Sequence, residues 1–415
     1  MLAAIPSLLL AALASGAVIS PAKDATVEAR WKPGNVPIRE VNLGSQFIIE
    51  PWMAKDEWRG MGCVDNNNNM LADEWSCVQK LGQAQANKAW KKHWDTWITQ
   101  ADIQRIHDYK LNTIRIPVGF WIREDLVQAG EFYPRGGLSY LDRIVGWASD
   151  LGLQIIIDLH GAPGSQSYNQ AFTGLQTNNP AFYTQNNFER TYKFLEWMAE
   201  RIHTKNEYRN VYALQVLNEP VRSGENADQA GNMVWNFYPE AWRRIRAREA
   251  QLGTSSQNLL HIIFMGASWG SGDPASNLPG DRTFLGIDDH KYYKWDDSFR
   301  SASKQQYLDA ACRDDHGTSR DTIVGEWSLG VHTDLQAQPG WAPAGATAET
   351  KAWYRKYWAA QAASYERAGG WVFWSWKCNW LWDSGTDDWR WCYDSAVANG
   401  VIPNDATVAT SISPC

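Results

Sequence analysis

Short apolar runs alternate with longer amphipathic stretches along most of the chain. Eight of these runs are nearly continuous in hydrophobic residues, which is typical of strands buried on both faces of a sheet. The stretches between them, such as 138–152 and 187–203, repeat apolar residues at helical spacing. The predicted strands are 41–49, 111–118, 153–160, 211–218, 259–265, 283–290, 321–327 and 369–376.

This alternation predicts an α/β architecture. Eight buried strands, each followed by a helix or a long loop, are the pattern of a (β/α)8 TIM barrel. No linker, repeat or low-complexity segment interrupts the pattern, so we expect a single domain over residues 18–415. The length of 415 residues suits a barrel with long loops.

The first residues form a separate apolar segment. Residues 2–19 carry no charge, and 8–14 have the length of the hydrophobic part of a signal peptide. The small residues Ser15, Gly16 and Ala17 follow. We therefore expect a signal peptide over residues 1–17 and a secreted, extracellular protein. A membrane anchor is the alternative, but proline and glycine make this segment a poor spanning helix. No other segment predicts a membrane partner.

Composition excludes several other classes of function. The net charge is -7 with both signs scattered along the chain, so the absence of a basic block argues against nucleic acid as a partner. The sequence contains no zinc-protease motif, acidic calcium loop, cysteine–histidine cluster or phosphate-binding glycine loop, so we expect no metal and no cofactor. The 25 tryptophans favour a ligand with flat apolar faces.

The six cysteines fit an exported chain with disulfides, among 15 possible connectivities. Cys63 and Cys77 are close in sequence, as are Cys378 and Cys392, and each pair brackets a loop. We predict these two pairs as disulfides, which leaves Cys312 to pair with Cys415. Reduced, buried thiols are the alternative.

Polar residues recur at the ends of the predicted strands. In a barrel of this kind the chemistry lies at the carboxyl ends of the strands. A charged side chain at the end of a buried strand needs a partner or a function. We therefore expect a functional site built from Arg115, His160, Asn218, Glu219, His290 and Glu326.

Two of these residues are glutamates that a barrel can bring together. Glu219 lies in LNEP (217–220) after the fourth strand, and Glu326 lies in IVGEW (323–327) after the seventh. Cleavage of a glycosidic bond needs two such carboxyls, one protonated and one ionised. The surroundings of the pair must then separate the two pKa values.

The chain resembles glycoside hydrolase family 5 of clan A over nearly all of residues 38–377. Several of its motifs (VNLG, EPW, RIPVG, DLHGAPGSQ and FWSWK) are typical of the fungal β-glucanase branch rather than of cellulases or mannanases. The segments that carry the resemblance are 41–52, 111–121, 155–166, 216–220, 289–293, 324–327 and 370–377.

The resemblance implies a retaining hydrolase in which Glu219 is the acid/base and Glu326 is the nucleophile. A retaining enzyme holds its two carboxyls about 5–5.5 Å apart. Side-chain chemistry agrees, because Arg115 can orient a carboxylate and Asn218 can bond to a sugar hydroxyl. The resemblance implies that substrate is bound by Glu50, Arg115, His160, Asn218, His290, Tyr292 and Trp374.

Two of these assignments have alternatives. The alternating segment WVFWSW (371–376) offers Trp376 as well as Trp374 for the floor of the site. His160 and His290 could each be an ordinary buried histidine.

Two linkages fit the fungal branch. Exo-acting β-1,3-glucanases typically read NGFDNSG and VNLGGW where this chain has SYNQAFTGL (167–175) and VNLGSQF (41–47). The chain also has a cysteine-containing insert, 62–77, and Glu40 where the family usually has glycine. We therefore predict an endo-β-1,6-glucanase that acts on β-glucan as a monomer. The alternatives are an exo-β-1,3-glucanase, a transglycosylase and a barrel that binds glucan without cleaving it.

A β-1,6-linked chain has an extra rotatable carbon in each linkage and is therefore flexible. We expect a short, strongly shaped pocket with aromatic walls. Half of the tryptophans on strand-end loops are expected to form those walls, from among Trp52, Trp121, Trp269, Trp295, Trp327, Trp380, Trp382, Trp389 and Trp391.

Overall fold

The computed structural model describes residues 36–220, 231–269, 272–379 and 388–415. The predicted signal peptide, residues 1–17, lies outside the described residues. Within the described ranges, no helix is both long enough and apolar enough to cross a membrane.

Eight parallel strands close into a barrel in the order of the sequence. Each strand pairs with the next, and the last returns to the first through pairs such as Glu40 with Val372. The predicted TIM barrel is therefore confirmed. The strands are β1 (Ile38–Asn42), β2 (Thr113–Gly119), β3 (Gln154–Gly161), β4 (Val211–Gln215), β5 (His261–Met265), β6 (Leu285–Lys291), β7 (Thr322–Trp327) and β8 (Gly370–Phe373).

Helices surround the barrel. Several begin at capping boxes, in which Asp73, Thr99 or Ser303 accepts a hydrogen bond from the backbone three residues later. The described helices are α1 (Lys55–Gly60), α2 (Glu74–Leu81), α3 (Gln83–Thr96), α4 (Gln100–Asp108), α5 (Leu138–Asp150), α6 (Gln185–Thr204), α7 (Phe237–Gln251), α8 (Lys304–Arg313), α9 (Ala348–Tyr365), α10 (Tyr393–Ala398) and α11 (Ala409–Ile412).

The barrel interior changes from apolar to polar along its axis. Ile38, Ile156, Ile263, Ile323 and Val372 belong to one buried cluster near the starts of the strands. Nearer the carboxyl ends, polar and fully buried residues lie on β1, β2, β3, β4 and β6. This gradient confines the chemistry to the carboxyl end of the barrel. The buried polar residues are Glu40, Asn42, Arg115, Asp158, Gln215 and Asp288.

Glu40 is accommodated without a break in β1. It pairs with Thr113 on one side and with Val372 on the other. Burial raises the pKa of Glu40 well above its ordinary value, against the opposing charge of Arg115. Burial inside the barrel therefore favours the uncharged form of this carboxyl.

Seven predicted strands differ from the observed ones only by a few residues at their ends. The first prediction, 41–49, is wrong over most of its length, because β1 ends at Asn42. The residues after it are buried but irregular, and Ser45 has a φ of 59°. An apolar run reports burial, and burial alone does not distinguish a strand from a packed loop.

The predicted disulfide pairing is confirmed by the three bonds Cys63–Cys77, Cys312–Cys415 and Cys378–Cys392. The bond between Cys312 and Cys415 ties the end of the chain to α8. Disulfides of this number are typical of proteins from oxidising compartments.

A half-buried ion cluster joins the end of β6 to the segment before β7. His316 Nδ1 lies 2.9 Å from Asp289 Oδ2, and His316 Nε2 lies 3.5 Å from Asp314 Oδ1. The Ser268 hydroxyl donates to Asp289 Oδ1 at 2.8 Å. Burial lowers the pKa of His316, but the two carboxylates outweigh burial and raise it to about 9.

This cluster predicts a loss of stability at alkaline pH. Because the folded pKa exceeds the unfolded value of about 6.5, the stabilisation is complete below that value and disappears as the pH rises through about 9. His316→Gln should lower the free energy of unfolding by roughly 2 kcal/mol at pH 6 and by much less at pH 9.5. Urea unfolding of both proteins at the two pH values measures the effect. An equal difference in the free energy of unfolding at both pH values would contradict this explanation.

Candidate active site

A cavity of about 420 Å³ opens at the carboxyl end of the barrel. Residues from every strand end except that of β2 reach its wall directly or through the following loop. Its lining combines carboxyls with aromatic rings, a composition that suits a polyhydroxylated ligand with apolar faces. The lining residues are Glu50, Trp52, His160, Gln170, Phe172, Asn218, Glu219, Trp269, Tyr292, Trp295, Glu326, Trp374 and Trp391.

Arg115 of β2 organises the base of the cavity. Its Nη1 donates to Glu326 Oε1 at 3.0 Å, and its Nη2 donates to Asn218 Oδ1 at 2.8 Å. Nη2 also lies 3.1 Å from Asp158 Oδ2. Burial lowers the pKa of Arg115, but Asp158, Glu326 and Asp288 outweigh burial and raise it above the usual range. The buried guanidinium therefore stays charged and fixes the groups around it.

Glu326, at the end of β7, is held by two donors. Arg115 contacts Oε1, and the Tyr292 hydroxyl donates to Oε2 at 2.9 Å. Burial raises the pKa of Tyr292 well above its ordinary value, and the Glu326 charge adds to the shift, so the phenol remains a donor. Burial also raises the pKa of Glu326, against the charges of His290 and Arg115. The two donors orient this carboxylate toward the cavity.

Glu219 follows β4 in an unusual backbone conformation. Its φ of 37° lies in the left-handed region, which is uncommon for a residue with a side chain. The Asn218 backbone amide donates to the Leu159 carbonyl at 2.9 Å, and the Ser167 hydroxyl donates to the backbone carbonyl of Glu219. These contacts hold the strained turn, which directs the Glu219 side chain into the cavity.

His290 of β6 links the two glutamates. Its Nδ1 lies 2.6 Å from Glu219 Oε1 and 3.6 Å from Glu326 Oε2. Its Nε2 lies 3.2 Å from Asp288 Oδ2. Burial lowers the pKa of His290, but Glu326 and Asp288 outweigh burial and raise it well above the ordinary value. The imidazolium can therefore donate to a carboxylate at each nitrogen.

The two glutamates lie close together. Oxygen atoms of Glu219 and Glu326 lie within 4.8 Å of each other. This spacing fits the separation of about 5–5.5 Å that is typical of retaining glycosidases, and it is well below the spacing of inverting enzymes.

The floor of the cavity is a stacked pair of rings. The rings of His160 and Trp374 lie 5.5 Å apart with an interplanar angle of 8°. His160 Nδ1 bonds to Asp158 Oδ2 at 2.7 Å. Trp376 is buried away from the cavity, where its Nε1 donates to Asp102 at 3.2 Å. Of the two tryptophans considered from the sequence, Trp374 is therefore the one that lines the site.

Asn218 presents a donor to the cavity. Its Oδ1 accepts from Arg115, so its amide nitrogen is directed elsewhere. Within the part of the chain that the structure describes, Asn218 Nδ2 is buried and has no hydrogen-bond partner. Because buried donors are nearly always satisfied, this nitrogen is suited to a ligand oxygen.

Glu50 adds a third carboxyl to the cavity. Its Oε2 accepts from Trp52 Nε1 at 2.8 Å. Burial raises the pKa of Glu50 to about 7, against the opposing charge of His160. Glu50 is therefore uncharged below neutral pH and gains a charge above it.

Four of the tryptophans predicted as walls line the cavity: Trp52, Trp269, Trp295 and Trp391. Three other candidates pack away from the cavity, in agreement with the expectation that only about half of the set forms walls. Trp327 is buried against Trp371 and Phe373, Trp121 stacks on Tyr133 at 4.2 Å, and Trp389 packs on Tyr354. Trp327 faces away from the barrel interior, and Trp121 and Trp389 pack within loops. For a residue in a loop, position after a strand does not determine which way the ring points. Trp380 and Trp382 lie outside the described residues.

Two supporting aspartates were missed from the sequence. Asp158 and Asp288 each stand inside an apolar strand and contact Arg115. Asp288 Oδ1 also accepts from the Gly325 amide at 2.8 Å, and a side chain at Gly325 would collide with this carboxylate. The available signal was a charged residue within an apolar run, two positions before a site residue and therefore on the same face of the strand.

Glu219, His290 and Glu326 could in principle hold a cation, because one ligand atom from each lies within 4.8 Å of the others. Two features of the site oppose this. The Arg115 guanidinium already contacts Glu326, and His290 Nδ1 is engaged by Glu219 at 2.6 Å. A metal ion would have to displace both.

A closed barrel with two adjacent carboxyls in an aromatic-lined cavity defines a class of barrel glycosidases. The family model for cellulases, glycosyl hydrolase family 5, matches residues 68–379. The chain therefore belongs to glycosyl hydrolase family 5, and it is a glycoside hydrolase.

The chain is similar to curated relatives over most of its length. It is 48% identical to glucan endo-1,6-beta-glucosidase B of Emericella nidulans, over 93% of this chain and 90% of the relative. It is 30% identical to probable glucan 1,3-beta-glucosidase A of Neosartorya fischeri, over 89% and 88% of the two chains. The crystal structure of rutinosidase from Aspergillus niger has a TM-score of 0.66 at 20% identity, covers 90% of this chain and 99% of its own, and bears on the fold alone.

Titration of Glu50 predicts a pH-dependent step in activity. Because its pKa is about 7, Glu50 adds a negative charge to the cavity between pH 6 and 8. The kcat/KM for an aryl β-glucoside should change in this interval, and Glu50→Gln should remove most of that change. The pH profiles of both enzymes provide the measurement. If the same step persisted in the variant, another group would have to be its source.

Proposed function

We propose that the chain is a retaining endo-β-1,6-glucanase with Glu326 as nucleophile and Glu219 as acid/base. The observation that carries this proposal is the short spacing of the two carboxyls, within 4.8 Å, in one aromatic-lined cavity. That spacing leaves no room for a water molecule between the carboxyls and the anomeric carbon, so one carboxylate must attack directly.

In the first step, a Glu326 oxygen forms a bond to the anomeric carbon as the glycosidic C–O bond breaks. The departing oxygen takes the proton of Glu219, which leaves Glu219 ionised. In the second step, Glu219 takes a proton from water, the water oxygen bonds to the anomeric carbon, and the ester bond to Glu326 breaks. The two inversions together retain the β configuration.

The contacts of the two glutamates support this division of roles. Glu326 receives the Arg115 guanidinium and the Tyr292 hydroxyl, and both donors favour a carboxylate. Glu219 instead bonds to His290 Nδ1 at 2.6 Å, so this pair can share one proton, which lies on Glu219 when Glu219 acts as the acid. His290 therefore suits a group that alternates between acid and base.

The remaining cavity residues suit the sugar on the nucleophile side. Asn218 Nδ2 can donate to the 2-hydroxyl, a contact that strengthens in the transition state. Trp374 and His160 provide a flat floor for the apolar face of the ring, and Glu50 can accept from a hydroxyl. Each aromatic stack is worth roughly 1 kcal/mol.

The preference for the β-1,6 linkage is supported by the relatives. The glucan endo-1,6-beta-glucosidase of Emericella nidulans is 48% identical, against 30% for the 1,3-beta-glucosidase relative. The compact cavity of about 420 Å³ also suits a flexible chain that is bound a few units at a time. Three disulfides support export, so we propose a secreted enzyme that meets its polysaccharide outside the cell.

The nucleophile is tested by two substitutions of Glu326. Glu326→Gln keeps the size of the side chain but cannot attack, so kcat should fall by more than about a thousandfold, which is about 4 kcal/mol. Glu326→Gly with azide should recover turnover and give the α-glycosyl azide. NMR of the products identifies the anomer. Inverted product from the unmodified enzyme would contradict the retaining mechanism.

The acid/base is tested by the leaving group. Glu219→Gln should nearly abolish cleavage of β-glucan but spare the first step with a dinitrophenyl β-glucoside, whose leaving group needs no proton. Pre-steady-state release of dinitrophenol measures this step. Glu326→Gln serves as the matched control, because it should lose the burst with the same substrate. Equal loss of the burst in both variants would assign Glu219 a different role.

The linkage is tested with two polymers. The enzyme should cleave pustulan, a β-1,6-glucan, to short gentio-oligosaccharides and release little glucose from laminarin, a β-1,3-glucan. Chromatography of the products over time distinguishes internal from terminal cleavage. Rapid release of glucose alone from laminarin would instead identify an exo-β-1,3-glucanase.

A further inference from the structure

The rim of the cavity is held by a segment that does not line it. Residues 62–77, closed by the Cys63–Cys77 disulfide, end in the first turn of α2 (Glu74–Leu81). We name residues 62–77 the disulfide insert. None of its residues belongs to the cavity lining within the described ranges.

Three consecutive residues of the insert bind two loops of the barrel. Asp73 Oδ2 accepts from the Gln176 amide at 2.5 Å, and the Trp75 amide donates to the Gly174 carbonyl at 3.0 Å. Both of these partners lie in the loop after β3. Glu74 Oε1 accepts from the Ile49 amide at 2.8 Å, in the loop after β1.

These bonds fix the residues next to the cavity. Ile49 directly precedes Glu50, and Gly174 lies in the turn that follows Phe172, and both Glu50 and Phe172 line the cavity. Phe172 packs edge-on against His160 with ring centroids 5.4 Å apart. His160 is half of the stacked floor, so the insert is connected to the floor through Phe172.

The end of the insert is anchored at several points. Asp73 Oδ1 caps α2 by accepting from the Ser76 amide at 2.7 Å. Cys77 lies in the same helix and is fully buried with its partner Cys63. The Trp75 ring packs edge-on against Phe132 and Tyr133 at 5.4 and 5.3 Å. Displacement of one barrel loop would therefore require displacement of this whole unit.

We propose that the disulfide insert is a specificity-determining brace that holds Glu50 and Phe172 in the positions that select the glucan linkage. This proposal rests on the proposed function. A flexible β-1,6-linked chain loses conformational freedom when it binds, and a rim that is already ordered reduces the total cost of binding. Asp73, Glu74 and Trp75 are positioning residues, because they act on the substrate only through the two loops.

The first test removes the disulfide of the insert. In Cys63→Ser/Cys77→Ser, the ratio of kcat/KM for pustulan to that for laminarin should fall about tenfold, mainly through a higher KM for pustulan. The matched control is Cys312→Ser/Cys415→Ser, which removes a disulfide far from the cavity. The control should lower Tm but keep the ratio within about twofold. Turnover of an aryl β-glucoside shows whether the two glutamates still function.

The second test uses substitutions that keep the disulfide. Asp73→Ala loses both the helix cap and the bond to Gln176, and it should lower the same ratio. Asp73→Asn retains one acceptor oxygen for the helix cap but turns an NH2 donor toward the Gln176 amide, so it should keep most of the Tm while it still lowers the ratio. A merely structural role would lower Tm in Asp73→Ala without changing the ratio, and this result would overturn the brace.

Failure of the proposed function is distinguishable from failure of the brace. If the unmodified enzyme does not cleave pustulan, the proposed substrate is wrong. The ratio of kcat/KM for the glucan that it does cleave to kcat/KM for the aryl β-glucoside then replaces the ratio of pustulan to laminarin. An unchanged ratio in both insert variants overturns the brace whichever glucan is the substrate.

Discussion

The buried charge of Arg115 is the constraint on which the rest of the site depends. An isolated guanidinium inside a barrel would be prohibitively unstable, so it must be surrounded by opposite charge and by hydrogen-bond acceptors. Asp158, Asp288 and Glu326 supply the charge, from three different strands. Because all three also hold the guanidinium in place, the folding of the barrel and the geometry of the site depend on the same charged groups. The acceptors that complete the shell are Asn42, Gln215 and Asn218.

The same constraint explains how the cavity can hold a proton. Two cations, Arg115 and the His290 imidazolium, face more carboxyls than they can neutralise. Full ionisation of these carboxyls would therefore leave unbalanced negative charge in a buried space. Burial raises the pKa of Glu50 to about 7, and it raises the pKa of Glu40 well above its ordinary value. A surplus of carboxyls over cations keeps protons in the site at neutral pH, as an acid/base mechanism requires.

The fold and the central pair were predictable because both leave a strong local signal. Strands buried on both faces read as apolar runs, and a glutamate at the end of such a run stands out. Residues 43–49 defeated the same reasoning because they are buried without being a strand. The direction of Trp327 follows from strand alternation, because its neighbour Glu326 faces the cavity. The raised pKa of Glu40 and the contacts of the insert depend on residues distant in sequence, and no local pattern encodes them.

The groups that stabilise the fold lie on the barrel strands, whereas the groups that shape the rim of the cavity lie on loops farther from the barrel axis. The strands and the strand ends fix Arg115 and the two glutamates, so the geometry of the catalytic centre is set by the barrel itself. The rim depends on loops, and the bonds of Asp73, Glu74 and Trp75 to those loops lie outside the strand network. A change in the insert can therefore alter the shape of the cavity while the charge network around Arg115 stays intact. A change in linkage preference can therefore come from the insert while the catalytic centre stays as it is.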